Sequence, residues 1–194
     1  MVKNIVIIQG HPDAGAKHLC HALSDAYAAG AESAGHAVHR IDVAQLQFPL
    51  LRTKAEFEHG PVPPALASAQ QTIMEADHLF IIFPLWLGEM PALLKAFFEH
   101  IFRPGFAFQY TDRGFPQKQL RGKSARIVIT MGMPAPIYRW YFGAHGLKNL
   151  KHNILAFCGI GPIRENLFGS VEGASDRARR RWIEQMRSLG ACAG

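Results

Sequence analysis

Three short loops rich in glycine or proline carry the groups that would bind an anion and a planar ring. The first loop covers residues 10–17 and contains Gly10, His11 and Gly15, with Lys17 and His18 at its end. Its glycines let the backbone turn closely, and the following helix presents free N–H groups and its positive dipole end to a phosphate. The loop matches neither GxGxxG nor GxxxxGK[ST], which argues against a Rossmann dinucleotide site and a P-loop.

The second and third loops, residues 84–90 and 130–136, offer apolar and aromatic groups together with backbone N–H donors. Trp86 in the second loop presents a flat apolar surface to a planar ligand. A phosphate site beside a flat slot is more typical of a flavin mononucleotide than of a nucleoside triphosphate. Structural interpretations stay open, because Trp86 also suits a core or interface position and His11 a structural position before a proline.

The elements that would position these loops follow from the apolar pattern. Each loop follows an apolar run without alternation, which is typical of a strand buried on both faces of a parallel sheet. The carboxyl ends of parallel strands meet at one edge, so we expect the loops to converge there. The alternation of strands and helices predicts a doubly wound α/β sheet of five parallel strands, and the pattern leaves their order open.

The predicted strands cover residues 2–9, 36–42, 79–83, 124–130 and 162–168. Helices are predicted over residues 17–34, 65–76 and 175–189, and from Pro91, whose missing N–H suits a first helical turn. Residues 138–156 are predicted to be mostly helical. Residues 45–64 and 104–123 lack periodicity and are predicted to be irregular, the second as the aromatic wall of a site or an interface.

The totals indicate one globular domain over residues 1–194. Hydrophobic residues make up 48% and charged residues 19%, and the formal net charge of +6 is scattered apart from an arginine run at 177–181. No nucleic-acid-reading motif accompanies that charge, so an anionic ligand is favoured over a nucleic acid. Three separated cysteines without a CxxC pair predict reduced thiols in a cytoplasmic protein, with no signal peptide and no apolar run long enough to span a bilayer. The histidine pairs at 18/21 and 36/39 lack a third ligand, so no metal site is predicted.

Three motifs resemble one family of flavoproteins over nearly the whole chain. They are GHPxxxxxHLCHAL, FPLWLGEMPALLKAFFEHIFRPGFAFQY and TMGMPAPIYRWYFGAHG, and they are similar to the flavodoxin-like NAD(P)H:quinone oxidoreductases. That family includes mammalian quinone reductase, bacterial drug-modulator proteins and ancillary flavoproteins of potassium efflux systems. The resemblance implies a flavodoxin-like three-layer sandwich with strand order 2-1-3-4-5, a homodimer, and bound FMN, with FAD as the alternative.

The resemblance also implies roles for individual residues. The flavin phosphate would be held by His11, Lys17, His18, Leu19 and Cys20. The isoalloxazine would lie along Pro84, Leu85, Trp86, Leu87 and Gly88, with its edge bonded by Thr130, Met131, Gly132 and Met133. Tyr138 and His145 would be catalytic, stabilising charge on the reduced flavin, and Phe108 and Tyr110 would line the substrate pocket across the dimer.

The chain departs from the family pattern at several of these positions. Lys17 stands where a hydroxyl residue is usual, Trp86 comes one place early, and Phe108 replaces a tyrosine. Tyr138 and His145 are one residue further apart than in mammalian quinone reductase. The chain also lacks the C-terminal extension of that enzyme, which favours FMN over FAD.

The leading hypothesis is a flavin-dependent oxidoreductase in which NADH or NADPH reduces the flavin and a quinone or similar acceptor then reoxidises it, by two-electron ping-pong hydride transfer. The alternative is a regulatory flavoprotein subunit of a membrane transporter, which would supply the chain's one expected membrane contact. A flavin-free receiver domain is disfavoured, because Gln9, Gly10 and His11 provide no acidic cluster at the end of the first strand.

Overall fold

The computed structural model describes residues 1–111, 114 and 116–193, so part of the aromatic stretch predicted at 104–123 lies outside the described residues. Its strands are β1 (Asn4–Gln9), β2 (Ala37–Asp42), β3 (His78–Pro84), β4 (Phe108–Gln109), β5 (Gln117–Lys118), β6 (Ser124–Thr130) and β7 (Ile163–Phe168). Five of them form a parallel sheet in the order β2-β1-β3-β6-β7, which confirms the expected order 2-1-3-4-5 among the sheet strands. The short strands β4 and β5 pair with each other as a separate antiparallel ribbon.

The central strands are buried on both faces, which explains why their sequences do not alternate. In β1, Val6 and Ile8 belong to one apolar cluster and Ile5 and Ile7 to another on the opposite face of the sheet. Burial on both faces needs a helical layer on each side, because an exposed apolar face would cost about 25 cal/mol per Å².

The helices supply those two layers. They are α1 (Leu19–Ser33), α2 (Lys54–His59), α3 (Pro64–Glu75), α4 (Ala92–Ile101), α5 (His145–Lys148) and α6 (Asp176–Ala191). Helices α3 and α4 cover the face that contains Val6, while α1 and α6 cover the face that contains Ile5. Among the described residues, no helix is both long enough and apolar enough to cross a bilayer.

The stretch 138–156 is mostly helical, as predicted, but it consists of separate segments and not of one continuous helix. The chain forms a π-helical segment, Ile137–Tyr141, then a turn, α5, and a second π-helical segment, Asn149–Ala156. The break falls at Gly143 and Ala144, whose φ angles of +68° and +48° lie in the left-handed region that no right-handed helix contains.

The stretch 45–64, predicted to be irregular, contains the short helix α2. Arg103 is buried, and its guanidinium donates to the carbonyl oxygens of Phe57 at 3.0 Å, Glu56 at 2.5 Å and Gly60 at 2.7 Å. Because unpaired carbonyls collect at the end of a helix, a cation is stabilised there even without a carboxylate. Arg103 thus fixes this stretch against the end of α4.

Candidate active site

The three loops meet at the carboxyl edge of the sheet, as predicted. Backbone hydrogen bonds of 2.8 Å join Gly10 N to Ile82 O, Leu85 N to Thr130 O, and Met131 N to Phe168 O. These bonds hold the start of each loop against the end of the neighbouring strand. Two clefts open among these loops, one at the start of α1 and one between the second and third loops.

A histidine cluster lies at the start of α1. The rings of His11 and His18 stack with centroids 3.8 Å apart, and His21 lies 5.4 Å from His11. Burial, and then the proximity of His18 and His21, lowers the pKa of His11. His18 Nε2 lies 2.9 Å from Asp13 Oδ2, and that contact lowers the pKa of Asp13. His18 is therefore already engaged by a carboxylate.

The first cleft has a volume of about 550 Å³. Its lining includes Lys17, His18 and Leu19, which were predicted to hold a phosphate, together with Arg179 of α6. Arg179 belongs to the arginine run at 177–181, which the sequence analysis did not assign to the site. Its Nη2 lies 3.4 Å from the carbonyl oxygens of Val171 and Glu172, which directs the side chain toward the cleft.

Cys20, which was also predicted to hold a phosphate, lies in the first turn of α1 but does not line the first cleft. Its side chain is buried, its Sγ lies 3.2 Å from Thr130 Oγ1, and burial raises the pKa of the thiol to about 12. The thiol thus packs between α1 and β6 as a neutral group. A contact from Cys20 to an anion would come from its backbone N–H in the first turn of α1.

The second cleft, of about 520 Å³, contains most of the residues predicted to surround a flavin ring. Its lining is Leu85, Leu87, Gly88, Glu89, Met131, Gly132, Met133, Tyr138, Phe142, His145 and Gly146. Three residues predicted for the ring lie outside this lining. Pro84 ends β3, Thr130 is buried against Cys20, and Trp86 lies edge-on to His11 with centroids 6.4 Å apart.

The turn after β3 explains why Leu87, and not Trp86, faces the cleft. Trp86 and Glu89 exchange backbone hydrogen bonds of 2.9 Å, and both central residues have positive φ, +49° for Leu87 and +82° for Gly88. This is the geometry of a type I′ turn. Leu87 is fully exposed at its tip, and a non-glycine residue in this conformation costs of order 1–3 kcal/mol.

Tyr138 and His145 come together across the break in the predicted helix. Tyr138 is buried, and its hydroxyl accepts a hydrogen bond of 3.1 Å from Leu147 N. Burial raises the pKa of Tyr138, so the phenol is neutral and keeps a proton that it can donate to a ligand. His145 is exposed at the start of α5 and lies close to Gly143.

Glu89 is a lining residue that the sequence interpretation missed. It is half-buried, and its Oε1 accepts a hydrogen bond of 3.1 Å from Met90 N. Gly146 packs directly on this turn, because a Cβ at Gly146 would lie 2.5 Å from Gly88 O and 3.0 Å from Glu89 Oε1. The signal was present in the sequence, since Glu89 is the one charged residue between positions 79 and 94.

Phe108 and Tyr110 do not reach the second cleft of their own chain. They line a separate pocket of about 220 Å³ with Phe57, Phe98 and Phe157. Phe108 is buried and packs edge-on against Phe157 at 4.9 Å, while Tyr110 is largely exposed. Their placement at a substrate pocket across a dimer stays a prediction.

The residues present fit a flavin mononucleotide. A Cβ at Gly132 in the second cleft would lie 3.5 Å from Glu172 Oε1, and Glu172 lines the first cleft, so the two clefts adjoin. One offers cations and a helix start to a phosphate, and the other offers apolar side chains, loop backbone and the Tyr138 hydroxyl to a ring. Within the described part of the chain, no three His, Cys, Asp or Glu residues are grouped so that they could hold a metal ion.

Known proteins resemble this chain in sequence and in structure. It is 27% identical over 188 residues to a protein of Haemophilus influenzae named as an uncharacterized NAD(P)H oxidoreductase, covering 93% of this chain and 91% of that one. It is 28% identical over 148 residues to rat NAD(P)H dehydrogenase [quinone] 1, covering 74% of this chain and 53%, about half, of the rat enzyme.

Among solved structures, the NAD(P)H:quinone oxidoreductase of Methanothermobacter marburgensis superposes with a TM-score of 0.83 at 21% identity over 98% of both chains, a likeness of fold. The family described as having the flavodoxin-like fold matches residues 3–189. That match covers the sheet, both helical layers and all three loops at the carboxyl edge. The chain therefore belongs to the flavodoxin-like fold family.

Proposed function

We propose that this chain is a flavin-dependent NAD(P)H oxidoreductase that reduces quinones or similar acceptors. NADH or NADPH would bind and leave before the acceptor binds, in a two-electron ping-pong cycle, and two copies of the chain would form a cytoplasmic homodimer. The relatives named as an NAD(P)H oxidoreductase and as an NAD(P)H dehydrogenase [quinone] support the reaction class. The single observation that carries the proposal is the cleft between the second and third loops, which adjoins a cleft that contains Lys17 and Arg179 at the start of a helix.

In this proposal the chain binds, orients and shields the flavin, which supplies the capacity for hydride transfer when bound. The phosphate would be held by Lys17, the backbone of Leu19 and Cys20, and the neighbouring His11 and His18. Leu85, Leu87 and Gly88 would cover the ring, and Met131, Gly132 and Met133 would hydrogen-bond its edge. Tyr138 would donate its hydroxyl proton to the position where negative charge develops, the arrangement that most effectively stabilises a developing anion.

The visible spectrum of the purified protein tests the proposal. We expect flavin absorption bands that bleach when NADH or NADPH is added without oxygen and return when a quinone follows. Heat release of the cofactor separates FMN from FAD by chromatography. A colourless protein that takes up neither flavin would contradict the proposal.

Replacing Tyr138 with phenylalanine tests the proposed donor. We expect flavin reduction by NADH to slow by about 100-fold, the usual cost of removing one donor that acts on developing charge. The matched control is Tyr141→Phe, because Tyr141 lies in the same segment but is exposed and lines neither cleft. Stopped-flow absorbance measures both rates, and equal rates in the two variants would remove Tyr138 from the mechanism.

One observation favours the alternative of a regulatory flavoprotein subunit. An apolar groove of about 650 Å³, lined chiefly by residues 49–51 and 60–64, lies beside His100 at the far end of α4 from the site. A partner that used this groove would leave both clefts open. A yellow protein whose flavin no nicotinamide bleaches would favour this alternative.

A further inference from the structure

The carboxylate of Glu89 has a fixed position in the second cleft. Its Oε1 accepts a hydrogen bond from Met90 N at 3.1 Å, and its backbone is bonded to Trp86 in both directions. Gly146 packs against the same turn, close enough that a methyl group there would contact Glu89 Oε1 at 3.0 Å. The turn, the neighbouring amide and α5 therefore all restrain the side chain.

The surroundings of Glu89 make its charge effective in the cleft. Leu85, Leu87, Met131 and Phe142 line the cleft with apolar groups that screen a charge poorly, and Glu89 is the one acidic residue in this lining. His145, whose side chain is exposed, also lines this cleft, and Glu172 lies beyond Gly132 toward the first cleft. The charge of Glu89 also contributes, after burial, to the raised pKa of Tyr138, so its field extends to the buried phenol.

We propose that Glu89 determines the charge selectivity of the cleft, so that the chain accepts neutral or cationic aromatic acceptors and disfavours anionic ones. This inference rests on the proposed function, because it takes the acceptor to dock beside the flavin ring, in the part of the second cleft that the ring leaves open. Two like charges about 10 Å apart at an effective dielectric constant of about 20 change a dissociation constant about tenfold. The apolar lining packs equally well against anionic acceptors and against neutral or cationic ones. Charge is therefore the main cause of any difference in their binding.

A pair of redox-inert probes tests the charge selectivity separately from turnover. Dissociation constants of 2-naphthoate and 2-naphthamide, which share a ring system and differ in charge, are measured by titration calorimetry on the protein as purified. We expect the wild type to prefer the amide. Glu89→Gln keeps an acceptor for Met90 N but removes the charge, so it should tighten naphthoate binding about tenfold and leave naphthamide binding within twofold.

Two further variants serve as controls. Glu89→Asp keeps the charge and should keep the preference for the amide. Glu32→Gln removes one charge near the end of α1, at the opposite edge of the sheet, and should behave like the wild type. The inference would be overturned if Glu89→Gln changed the dissociation constants of both probes equally or changed neither. It would also be overturned if neither probe bound the wild type. A missing flavin spectrum would instead count against the proposed function, since the calorimetric comparison does not depend on reduction.

Discussion

Replacing Gly146 with alanine tests whether the second cleft depends on close packing between two loops. The new Cβ would lie 2.5 Å from Gly88 O and 3.0 Å from Glu89 Cα, both of them backbone atoms. Ordinary contact at 3.4 Å requires α5 and the turn to separate by about 0.9 Å. Overpacking of this kind costs typically 1–3 kcal/mol, and a loss of about 2 kcal/mol lowers the Tm of a chain of this size by about 4–8 °C.

The assay is thermal unfolding followed by circular dichroism, combined with a fluorescence titration of FMN. We expect Gly146→Ala to lower the Tm and also to weaken FMN binding, because the displaced segments carry Leu87 and His145, and Leu147 of α5 donates the hydrogen bond to the Tyr138 hydroxyl. Gly173→Ala is the matched control, since a Cβ at Gly173 meets no atom within 4 Å. If Gly146→Ala unfolded at the wild-type temperature and bound FMN equally well, the argument that this contact shapes the cleft would be refuted.

Two predictions concern groups outside the clefts. Burial lowers the pKa of His78 to about 3. As pH falls below about 6.5, His78 is therefore protonated in the unfolded chain but stays neutral in the folded chain. The free energy of unfolding should therefore be constant above pH 6.5 and fall by about 1.4 kcal/mol per pH unit below it. Urea unfolding at pH 7 and pH 5 measures this fall, which should be smaller in His78→Asn than in the wild type. Equal falls in the two proteins would contradict the assignment to His78. Burial raises the pKa of Cys20 and Cys158 to about 12, so iodoacetamide at pH 8 should label Cys192 alone of the three cysteines, and labelling of Cys20 in the native protein would refute its packing.

The sheet was predictable because burial on both faces leaves a strong mark in the sequence. The run 79–83 lies within β3, and the run 124–130 coincides with β6, both buried almost throughout. Convergence of the loops then followed from parallel strand direction alone. The strand order did not follow from pattern, because every buried strand looks alike, and it came from the family resemblance.

Short helices and breaks were harder to predict, since a few local contacts decide them. The sequence does contain a signal for the start of α2, at Thr53 and Glu56. Thr53 Oγ1 accepts a hydrogen bond from Glu56 N at 3.1 Å, and Glu56 Oε2 accepts one from Arg52 N at 2.8 Å. A threonine followed three residues later by a glutamate is a common helix start. The break at Ala144 had no such signal, because alanine rarely adopts positive φ and is held there by its surroundings.

The cleft residues fall into two groups, those that the strands position and those that local contacts position. Leu85, Met131, Gly132 and Met133 follow buried strands directly, so the strand ends fix their positions and sequence reasoning could find them. The placement of Leu87 and Glu89 depends instead on the hand of one type I′ turn, which rotates Trp86 toward His11 and Leu87 toward the cleft. The pattern of apolar residues does not predict the type of this turn, because the turn buries little apolar surface. A strained leucine and a restrained carboxylate persist there because α5 packs on the turn through Gly146, and this contact between distant segments is what turns a sheet edge into a shaped site.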